Sequence, residues 1–191
     1  MKLENSKGYR QVISWLKLSK KKPFKFQTDA WQYYAEGYSG LVNAPTGFGK
    51  TYSIFLAVVI DELNKRTELK TKAPKSKTKT GLKLIWITPL RSLAKDLARV
   101  MREVCDELQL DWMVGVRNGD TPQSEKLKQK KQMPEVLIIT PESMHLLLAQ
   151  KSTFNYFDQL QCIVADEWHE LLGSKRGVMA ELAISRIKGL L

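Results

Sequence analysis

Short apolar runs alternate with longer amphipathic segments along most of this 191-residue chain. Runs of four or five mostly apolar, nearly uncharged residues predict strands. They lie at 40–44, 84–88, 112–116, 136–140 and 162–165. Helical periodicity predicts helices at about 50–64, 91–108, 122–132 and 141–150, with two more before the first strand. This alternation is typical of an open α/β fold, with a mostly parallel sheet of at least five strands and helices on both faces.

The composition excludes several classes of protein. Hydrophobic residues make up 43% and charged residues 27% of the chain, which is the profile of a globular protein. The longest apolar run, 54–60, is far shorter than the roughly 20 residues that cross a bilayer. We therefore expect no membrane partner, and without a secretory signal pattern we expect the cytoplasm. Cys105 and Cys162 form neither a disulfide framework nor a metal-ligand spacing.

The net charge of +11 is concentrated in three segments, at 17–25, 65–83 and 125–131. Basic clusters of this kind favour a polyanionic partner, because contacts between lysine or arginine and phosphates release counterions. The alternative is that the charges serve only solubility. Residues 65–82 are rich in Lys, Thr and Ser and poor in apolar side chains, so we predict a mobile basic loop there.

The first predicted strand leads into residues 44–51, APTGFGKT, and then directly into an apolar helix. Gly47 and Gly49 allow the backbone to curl so that its N–H groups face an anion at the start of the helix. Lys50 could then reach the terminal phosphates of a nucleotide, and the Thr51 hydroxyl could bind Mg²⁺. The first position of this segment departs from the general pattern, which has glycine there. The alternative is a tight turn from strand to helix.

The last predicted strand ends in residues 166–169, DEWH. Two carboxylates would thus lie at the carboxyl edge of the sheet, where open α/β folds bind ligands. Asp166 could hold Mg²⁺, and Glu167 could orient and deprotonate an attacking water. The alternative is an ordinary acidic start to a helix, which the helix dipole stabilises.

Six segments occur in a recognisable order. They are PFKFQ at 23–27, APTGFGKT at 44–51, TPLRSLAKD at 88–96, RNGDT at 117–121, TPES at 140–143 and DEWH at 166–169. The ordered set resembles the first RecA-like domain, a P-loop NTPase fold, of superfamily 2 helicases. TPLRSLA, GDT, TPES and SKRG at 174–177 are similar to the Lhr-type helicases. The run DEWHELLGSKRGV most resembles the ligase-associated DEXH-box helicases of bacteria.

The resemblance implies ATP and Mg²⁺ as cofactors and assigns roles to individual residues. Gln27 would recognise adenine, although a polar residue that caps a helix is the alternative. The nucleotide would be bound by Thr46, Gly47, Phe48, Gly49, Lys50 and Thr51. Mg²⁺ would be held by Thr51 and Asp166, and hydrolysis would depend on Lys50, Asp166 and Glu167. His169 would couple the nucleotide to the second motor domain.

Residues at three further strand ends would contact nucleic acid. They are Pro89, Arg91, Ser92, Arg117, Thr140 and Ser143. The alternatives are plain helix N-caps, which Ser and Thr favour, and a Gly-Asp turn after Arg117. Trp86 is most simply a core residue, and Arg176 could either contact DNA or cap the region after DEWH.

The resemblance also implies a domain organisation. Residues 1–39 would form N-terminal helices with the adenine-recognition segment, and residues 40–191 the first RecA-like domain, which ends before motif III. The second RecA-like domain, absent from this sequence, supplies arginine fingers in the family, so we expect the chain alone to turn over little ATP.

The implied function is that of an ATP-binding motor domain of an ATP-dependent DNA helicase. Its substrate would be single-stranded or partly duplex DNA, in DNA repair and possibly beside an ATP-dependent DNA ligase. The alternatives are an RNA helicase domain and a non-catalytic basic module that binds nucleic acid.

Overall fold

The structure, a computed structural model, describes residues 2–45, 47–72, 81–150 and 156–191. The chain forms two compact units, Met1–Thr78 and Lys79–Leu191. The predicted division at residues 39 and 40 stays a prediction. Across the part of the chain that the structure describes, no helix is long and apolar enough to cross a membrane.

The first unit is helical. Its elements are a short 3₁₀ helix at Leu3–Asn5, α1 at Lys7–Leu18, α2 at Lys25–Ala35 and α3 at Lys50–Lys72. Gly8 allows α1 to lie close to α3, since a Cβ there would be 2.4 Å from the Ile60 carbonyl oxygen. The Gly8 N–H donates to Asn64 Oδ1 at 2.7 Å. The indole of Trp31 donates to the Tyr52 carbonyl oxygen at 3.1 Å, which fastens α2 to the start of α3.

The second unit is a parallel sheet with connecting helices. Its elements are β1 at Leu84–Ile87, α4 at Arg91–Glu107, β2 at Val114–Arg117, α5 at Gln123–Lys131, β3 at Val136–Ile139, α6 at Pro141–Leu148, β4 at Cys162–Ala165, α7 at Trp168–Leu171 and α8 at Lys175–Lys188. The strand order is β2-β3-β1-β4, and every pair is parallel. The segments that follow the four strands therefore emerge at one edge of the sheet.

The apolar character of the strands explains their place in this unit. All residues of β1 and β3 are buried, as expected for central strands covered on both faces. Their side chains pack with apolar residues of α6 and α8, including Met144, Leu147, Ala180 and Ile187. The apolar core of this unit therefore includes the two central strands and the inner faces of α6 and α8.

Two expectations from the sequence need correction. The predicted strand at 40–44 has no regular secondary structure, so the sheet within the described residues has four strands. Leu41 is 82% exposed, and an apolar run becomes a strand only where a neighbour pairs its backbone groups.

The predicted basic loop is also wrong for residues 65–72, because α3 continues to Lys72. Pairs of opposite charge one turn apart support this extension: Lys65 with Asp61 at 2.5 Å and Arg66 with Glu62 at 3.0 Å. Such pairs stabilise helices, and these two lie where the predicted helix passes into the predicted loop. Residues 73–80 of the predicted loop lie outside the described residues.

Candidate nucleotide and nucleic-acid sites

Residues 44–49, which we call the phosphate loop after their predicted role, end where α3 begins, at Lys50. Gly47 and Gly49 have φ values of +84° and +78°, a left-handed conformation that favours glycine. A Cβ at Gly47 would meet nothing within 4 Å, so the loop faces open space there. A curled backbone that opens at the N-terminus of a long helix fits a phosphate group. Thr46 lies outside the described residues.

Gln27 is buried, at 5% exposure, and its amide contacts the phosphate loop. Its Oε1 accepts from the Phe24 N–H at 2.9 Å, and its Nε2 donates to the Gly49 carbonyl oxygen at 2.9 Å. A Cβ at Gly49 would lie 2.8 Å from that Nε2 atom, so only glycine permits this approach. The structure thus shows the capping role at the start of α2, and adenine recognition stays a prediction.

Three phenylalanines, of which Phe26 is half-buried, form a cluster that includes Phe48 of the phosphate loop. The rings of Phe24 and Phe48 have centroids 5.4 Å apart, and Phe24 stacks on Phe26 at 5.9 Å. Phe24 is 48% exposed and Phe48 46%. The cluster adds an apolar contact between the loop and the segment that carries Gln27.

Asp166 follows β4, and both of its carboxylate oxygens accept hydrogen bonds. Oδ2 accepts from the indole Nε1 of Trp86 at 3.0 Å, and Oδ1 accepts from the Glu167 N–H at 2.9 Å. The sequence indicated that Trp86 is a core residue, and at 2% exposure it is buried. That interpretation missed the hydrogen bond, although a buried indole N–H generally needs an acceptor.

Glu167 has a left-handed backbone, with φ 47° and ψ 48°, which is uncommon for a residue other than glycine. Such conformations cost about 1–3 kcal/mol and are found at functional sites. The turn at Glu167 connects β4 to α7 within one residue of Asp166. His169 Nδ1 lies 3.5 Å from Glu167 Oε2, and its Nε2 lies 3.6 Å from Glu170 Oε1.

The described residues contain no group of three or more His, Cys, Asp or Glu side chains that could hold a metal ion. Mg²⁺ does not require one, since it is usually bound by one or two protein oxygens together with waters and substrate phosphates. The oriented carboxylate of Asp166 is a ligand of the type that Mg²⁺ prefers.

The residues predicted to contact nucleic acid follow three neighbouring strands. Pro89, Arg91 and Ser92 follow β1, Thr140 and Ser143 follow β3, and Arg117 ends β2. The structure therefore brings them to one edge of the sheet.

An ion pair connects two of these segments. Arg91 Nη1 lies 2.9 Å from Asp120 Oδ1. A Cβ at Gly119 would lie 2.9 Å from the Arg91 Nη2 atom, so the guanidinium rests directly on the glycine backbone. The chain after β1 and the turn after β2 are thus held together.

Arg176, at the start of α8, contacts the segment after β1 and the segment after β3. Its Nε lies 2.5 Å from Glu142 Oε1, and its Nη1 donates to the Pro89 carbonyl oxygen at 3.1 Å. Burial alone would raise the pKa of Glu142. The hydrogen bond from its own backbone and the Arg176 guanidinium outweigh burial, so the pKa lies below its ordinary value of 4.5. The sequence left the role of Arg176 open, because both partners are distant along the chain.

The predicted nucleic-acid residues differ in accessibility. Arg91 and Ser92 are exposed, whereas Pro89 is buried. Thr140 and Ser143 are 2% and 6% exposed, and the Thr140 hydroxyl contacts the Ser143 hydroxyl at 3.2 Å. Thr140 occupies the N-cap position of α6, but its side chain makes no capping hydrogen bond there.

Arg117 is also buried, at 6% exposure, and burial lowers the pKa of its guanidinium. Of the residues predicted to contact nucleic acid, Arg91 and Ser92 after β1 are therefore the exposed ones.

Comparison with known proteins gives concordant results. The sequence pattern of the DEAD/DEAH box helicase family matches residues 24–190. The "Lhr helicase/uracil glycosylase" of Escherichia coli is 32% identical over 93% of this chain, which covers 12% of that protein. The "ATP-dependent helicase Lhr-Core" of Saccharolobus solfataricus is 34% identical over 82% of this chain and 18% of that protein.

A solved structure gives the same result. The helicase Lhr of Mycobacterium smegmatis, bound to ssDNA and AMP-PNP, superposes with a TM-score of 0.79 at 28% identity. The superposition covers 100% of this chain and 24% of the Mycobacterium smegmatis chain. The resemblance to Lhr-type helicases and the RecA-like α/β fold are confirmed. This chain spans 12 to 18% of the two relatives' own lengths.

Proposed function

Since this chain belongs to the DEAD/DEAH box helicase family, we propose that it is the ATP-binding motor domain of a longer ATP-dependent DNA helicase or translocase. The longer protein would act on single-stranded or partly duplex DNA. The observation that carries this proposal is the conformation of the phosphate loop. Its two glycines have left-handed backbones just before α3, and the Gln27 amide donates to the carbonyl oxygen of the second one.

The roles that we propose in the first unit are those of a nucleotide site. The loop N–H groups would bind phosphate, and the Lys50 ammonium would neutralise charge on the terminal phosphates. The Thr51 hydroxyl would be a ligand of Mg²⁺. Gln27 could still contact adenine, because an amide can donate and accept more hydrogen bonds than the two that it makes here.

In the second unit, we propose that Asp166 is a carboxylate of the Mg²⁺ shell and that Glu167 orients the attacking water. Bound ATP and Mg²⁺ would supply the phosphoryl group and the neutralisation of its charge. Trp86 would position the Asp166 carboxylate through its indole N–H. His169, which is exposed, would couple this region to the second motor domain.

Support for DNA as the polymer comes from the Mycobacterium smegmatis helicase, which was solved with ssDNA. In this chain, Arg91 and the backbone after β1 would bind phosphates of the strand. Contacts of this kind do not distinguish DNA from RNA, so the choice needs a direct comparison. DNA repair in the cytoplasm, beside an ATP-dependent DNA ligase, is the context that we propose from the sequence resemblance.

The proposal is tested by binding of a fluorescent ATP analogue to the 191-residue chain in Mg²⁺. We expect Lys50→Ala to weaken binding at least tenfold, because it removes a charge-assisted contact to phosphate. The matched control is Lys65→Ala, a lysine of the same helix that pairs with Asp61 at the surface. Equal binding by both variants and the unmodified chain would refute a nucleotide role for the loop.

The polymer is tested by fluorescence anisotropy of single-stranded DNA and RNA of the same sequence, with and without a non-hydrolysable ATP analogue. Tighter binding of DNA supports the proposal. Tighter binding of RNA would instead identify an RNA helicase domain. If the affinity for either polymer changes neither with the ATP analogue nor in the Lys50→Ala variant, the chain is a non-catalytic module.

A further inference from the structure

A cleft of about 360 Å³ lies between α5, α6 and the turn after β2. Cations line it beside two leucines, and none of the described residues that line it is acidic. The lining includes Arg117, Lys126, Lys130, Leu127 and Leu146. Its volume falls within the roughly 300–1,000 Å³ of pockets that enclose small ligands, so it has room for a few side chains of a partner molecule.

Arg117 is the most deeply buried cation of the cleft, at 6% exposure. Its Nη1 donates to Gln129 Oε1 at 3.3 Å and to the Lys126 carbonyl oxygen at 3.5 Å, and both acceptors are uncharged. Among the described residues, none accepts a hydrogen bond from its Nε or Nη2, and no carboxylate pairs with it. A buried charge is normally paired, because removing it from water is otherwise costly. A carboxylate from outside this chain would match the fork of the guanidinium.

Helix α5 adds two more cations and a carboxamide to the cleft. Lys126 and Lys130 are four residues apart, so they share one face of the helix, and neither forms an ion pair with a described carboxylate. Gln123, the first residue of α5, is exposed, and its amide has no partner among the described residues. A carboxamide both donates and accepts, as does a polypeptide backbone, whereas an ionised phosphate only accepts. These groups therefore suit a polypeptide that carries acidic side chains.

Two leucines on different helices indicate that this polypeptide is also apolar. Leu127 of α5 is 51% exposed and Leu146 of α6 is 69% exposed, and both line the cleft. No aromatic side chain is among the described residues that line it, so a nucleobase would find no ring to stack on. An apolar side chain of a peptide would instead cover both leucines and gain from the burial of carbon surface.

We propose that the cleft is a docking site for an acidic, apolar segment of a partner protein. One carboxylate of the segment would pair with Arg117, and another with Lys126 and Lys130. An apolar side chain between them would pack against Leu127 and Leu146. A second copy of this chain is a poor occupant, because its net charge is +11.

Docking of this segment would have a consequence for the strand. Arg117 is also predicted to contact nucleic acid, so a docked segment would compete with the strand for the same guanidinium. The partner protein would therefore inhibit strand binding. The inhibition rests on the proposed function, whereas the docking itself does not.

The first test compares three fluorescent peptides of equal length by anisotropy, without nucleotide or nucleic acid. One is built of Asp, Glu, Leu and Phe. In the second, Ser replaces Leu and Phe, so only the charge is kept. In the third, Asn and Gln replace Asp and Glu, so only the apolar side chains are kept. We expect the first peptide to bind on the order of tenfold more tightly than either control, and equal binding of the first two would overturn the proposal by showing a merely basic patch.

Variants of the chain locate the peptide. Lys126→Gln/Lys130→Gln removes the lysines of the cleft and should weaken peptide binding by about threefold to tenfold. Lys128→Gln/Lys131→Gln removes two exposed lysines of the same helix that do not line it, and it should bind like the unmodified chain. Arg117→Met should weaken binding about tenfold, since it removes the charged donor. An equal fall in the two double variants, or no effect of Arg117→Met, would overturn the docking site.

Competition with a single-stranded oligonucleotide separates this proposal from the proposed function. Unlabelled peptide is added to the chain with a bound fluorescent oligonucleotide, and methyl NMR follows Leu127 and Leu146. We expect the peptide to shift both methyls and to displace the oligonucleotide. Binding of both ligands at once would overturn the inhibitory role.

The two remaining outcomes divide the proposals from each other. If the oligonucleotide binds and shifts these methyls while the peptide does not bind, the occupant is nucleic acid. The docking proposal is then overturned and the proposed function stands. If the peptide binds and shifts the methyls while the oligonucleotide does not bind at all, the docking site is supported and the proposed function fails.

Discussion

Replacement of Gln27 separates two roles that one side chain could have. The amide joins the Phe24 N–H to the Gly49 carbonyl oxygen, with both contacts at 2.9 Å. Gln27→Ala removes both hydrogen bonds. Gln27→Glu preserves the shape and keeps an acceptor for Phe24, but it places a carboxylate oxygen opposite the Gly49 oxygen. The two variants therefore perturb the same pair of contacts in different ways.

The size of the effect follows from these contacts. Each buried polar group left without a partner costs about 1–3 kcal/mol. Since both partners are backbone groups in a partly buried region, we expect Gln27→Ala to cost about 2–4 kcal/mol of unfolding free energy. For a chain of this length, 1 kcal/mol corresponds to roughly 2–4 °C in Tm. A fall in Tm of roughly 4–16 °C should thus appear without any ligand.

The Glu variant adds a dependence on pH. Burial and the facing Gly49 oxygen both disfavour the ionised carboxyl, so the pKa of this Glu should be raised in the folded state. Below the pKa of the unfolded chain the group is protonated, and its O–H can donate to Gly49. Stability is therefore highest at low pH and is lost as pH rises from the unfolded pKa through the raised folded pKa.

The assay is thermal unfolding at pH 4 and pH 7, together with binding of fluorescent ATP and GTP analogues. The control is Gln11→Ala, an exposed glutamine of α1 in the same unit. If Gln27 only recognised adenine, neither variant would change the stability of the unliganded chain, and only the preference for ATP over GTP would disappear. That result would refute the anchoring of the phosphate loop by Gln27.

Three further predictions concern the second unit. Arg117→Met removes a buried charge that has no described carboxylate partner, so the unliganded Tm should stay unchanged or rise. The same variant should weaken the binding of single-stranded nucleic acid about tenfold. A large fall in Tm would show a structural role instead. Glu142→Gln should lower stability by less than about 1 kcal/mol at pH 7. Although burial would raise the pKa of Glu142, the hydrogen bond from its own backbone and the Arg176 guanidinium lower it. The stability difference should therefore be lost as pH falls from 4.5 through the lowered folded pKa, which urea unfolding over a pH series will test. Trp86→Phe should keep the fold, but Asp166 loses its indole donor, so Mg²⁺-dependent nucleotide binding should weaken severalfold. Calorimetry measures this binding, and an unchanged Mg²⁺ dependence would contradict the positioning role of Trp86.

The sequence predicted those parts of the fold that local patterns determine. β1 and β3 are apolar throughout and buried throughout, and the four helices predicted between the strands are all present. The two wrong predictions concern segments whose structure does not follow from the local apolar pattern. Residues 65–72 continue α3, and Lys65 and Arg66 at the start of this extension pair with acidic residues one turn earlier. Residues 40–44 lack a partner for a strand ladder among the described residues.

The candidate sites were predicted less completely, for a physical reason. Motif spacing predicted Asp166 and Arg91 as site residues, but it did not reveal what orients them. Trp86 and Asp166 are 80 residues apart, and Arg176 is 87 residues from Pro89. Contacts over such separations depend on the strand order, which brings distant segments to one sheet edge and which no local pattern encodes.

The contacts of Arg176 also bear on how the second unit would work as part of a motor. α8, which begins at Lys175, follows α7 and the DEWH segment directly along the chain. One guanidinium there joins the carbonyl oxygen of Pro89 after β1 to the carboxylate of Glu142 after β3. Arg176→Lys would keep the charge but lose the fork that makes both contacts at once. Arg176 thus links the two segments proposed to bind the strand to the element that follows the proposed catalytic carboxylates.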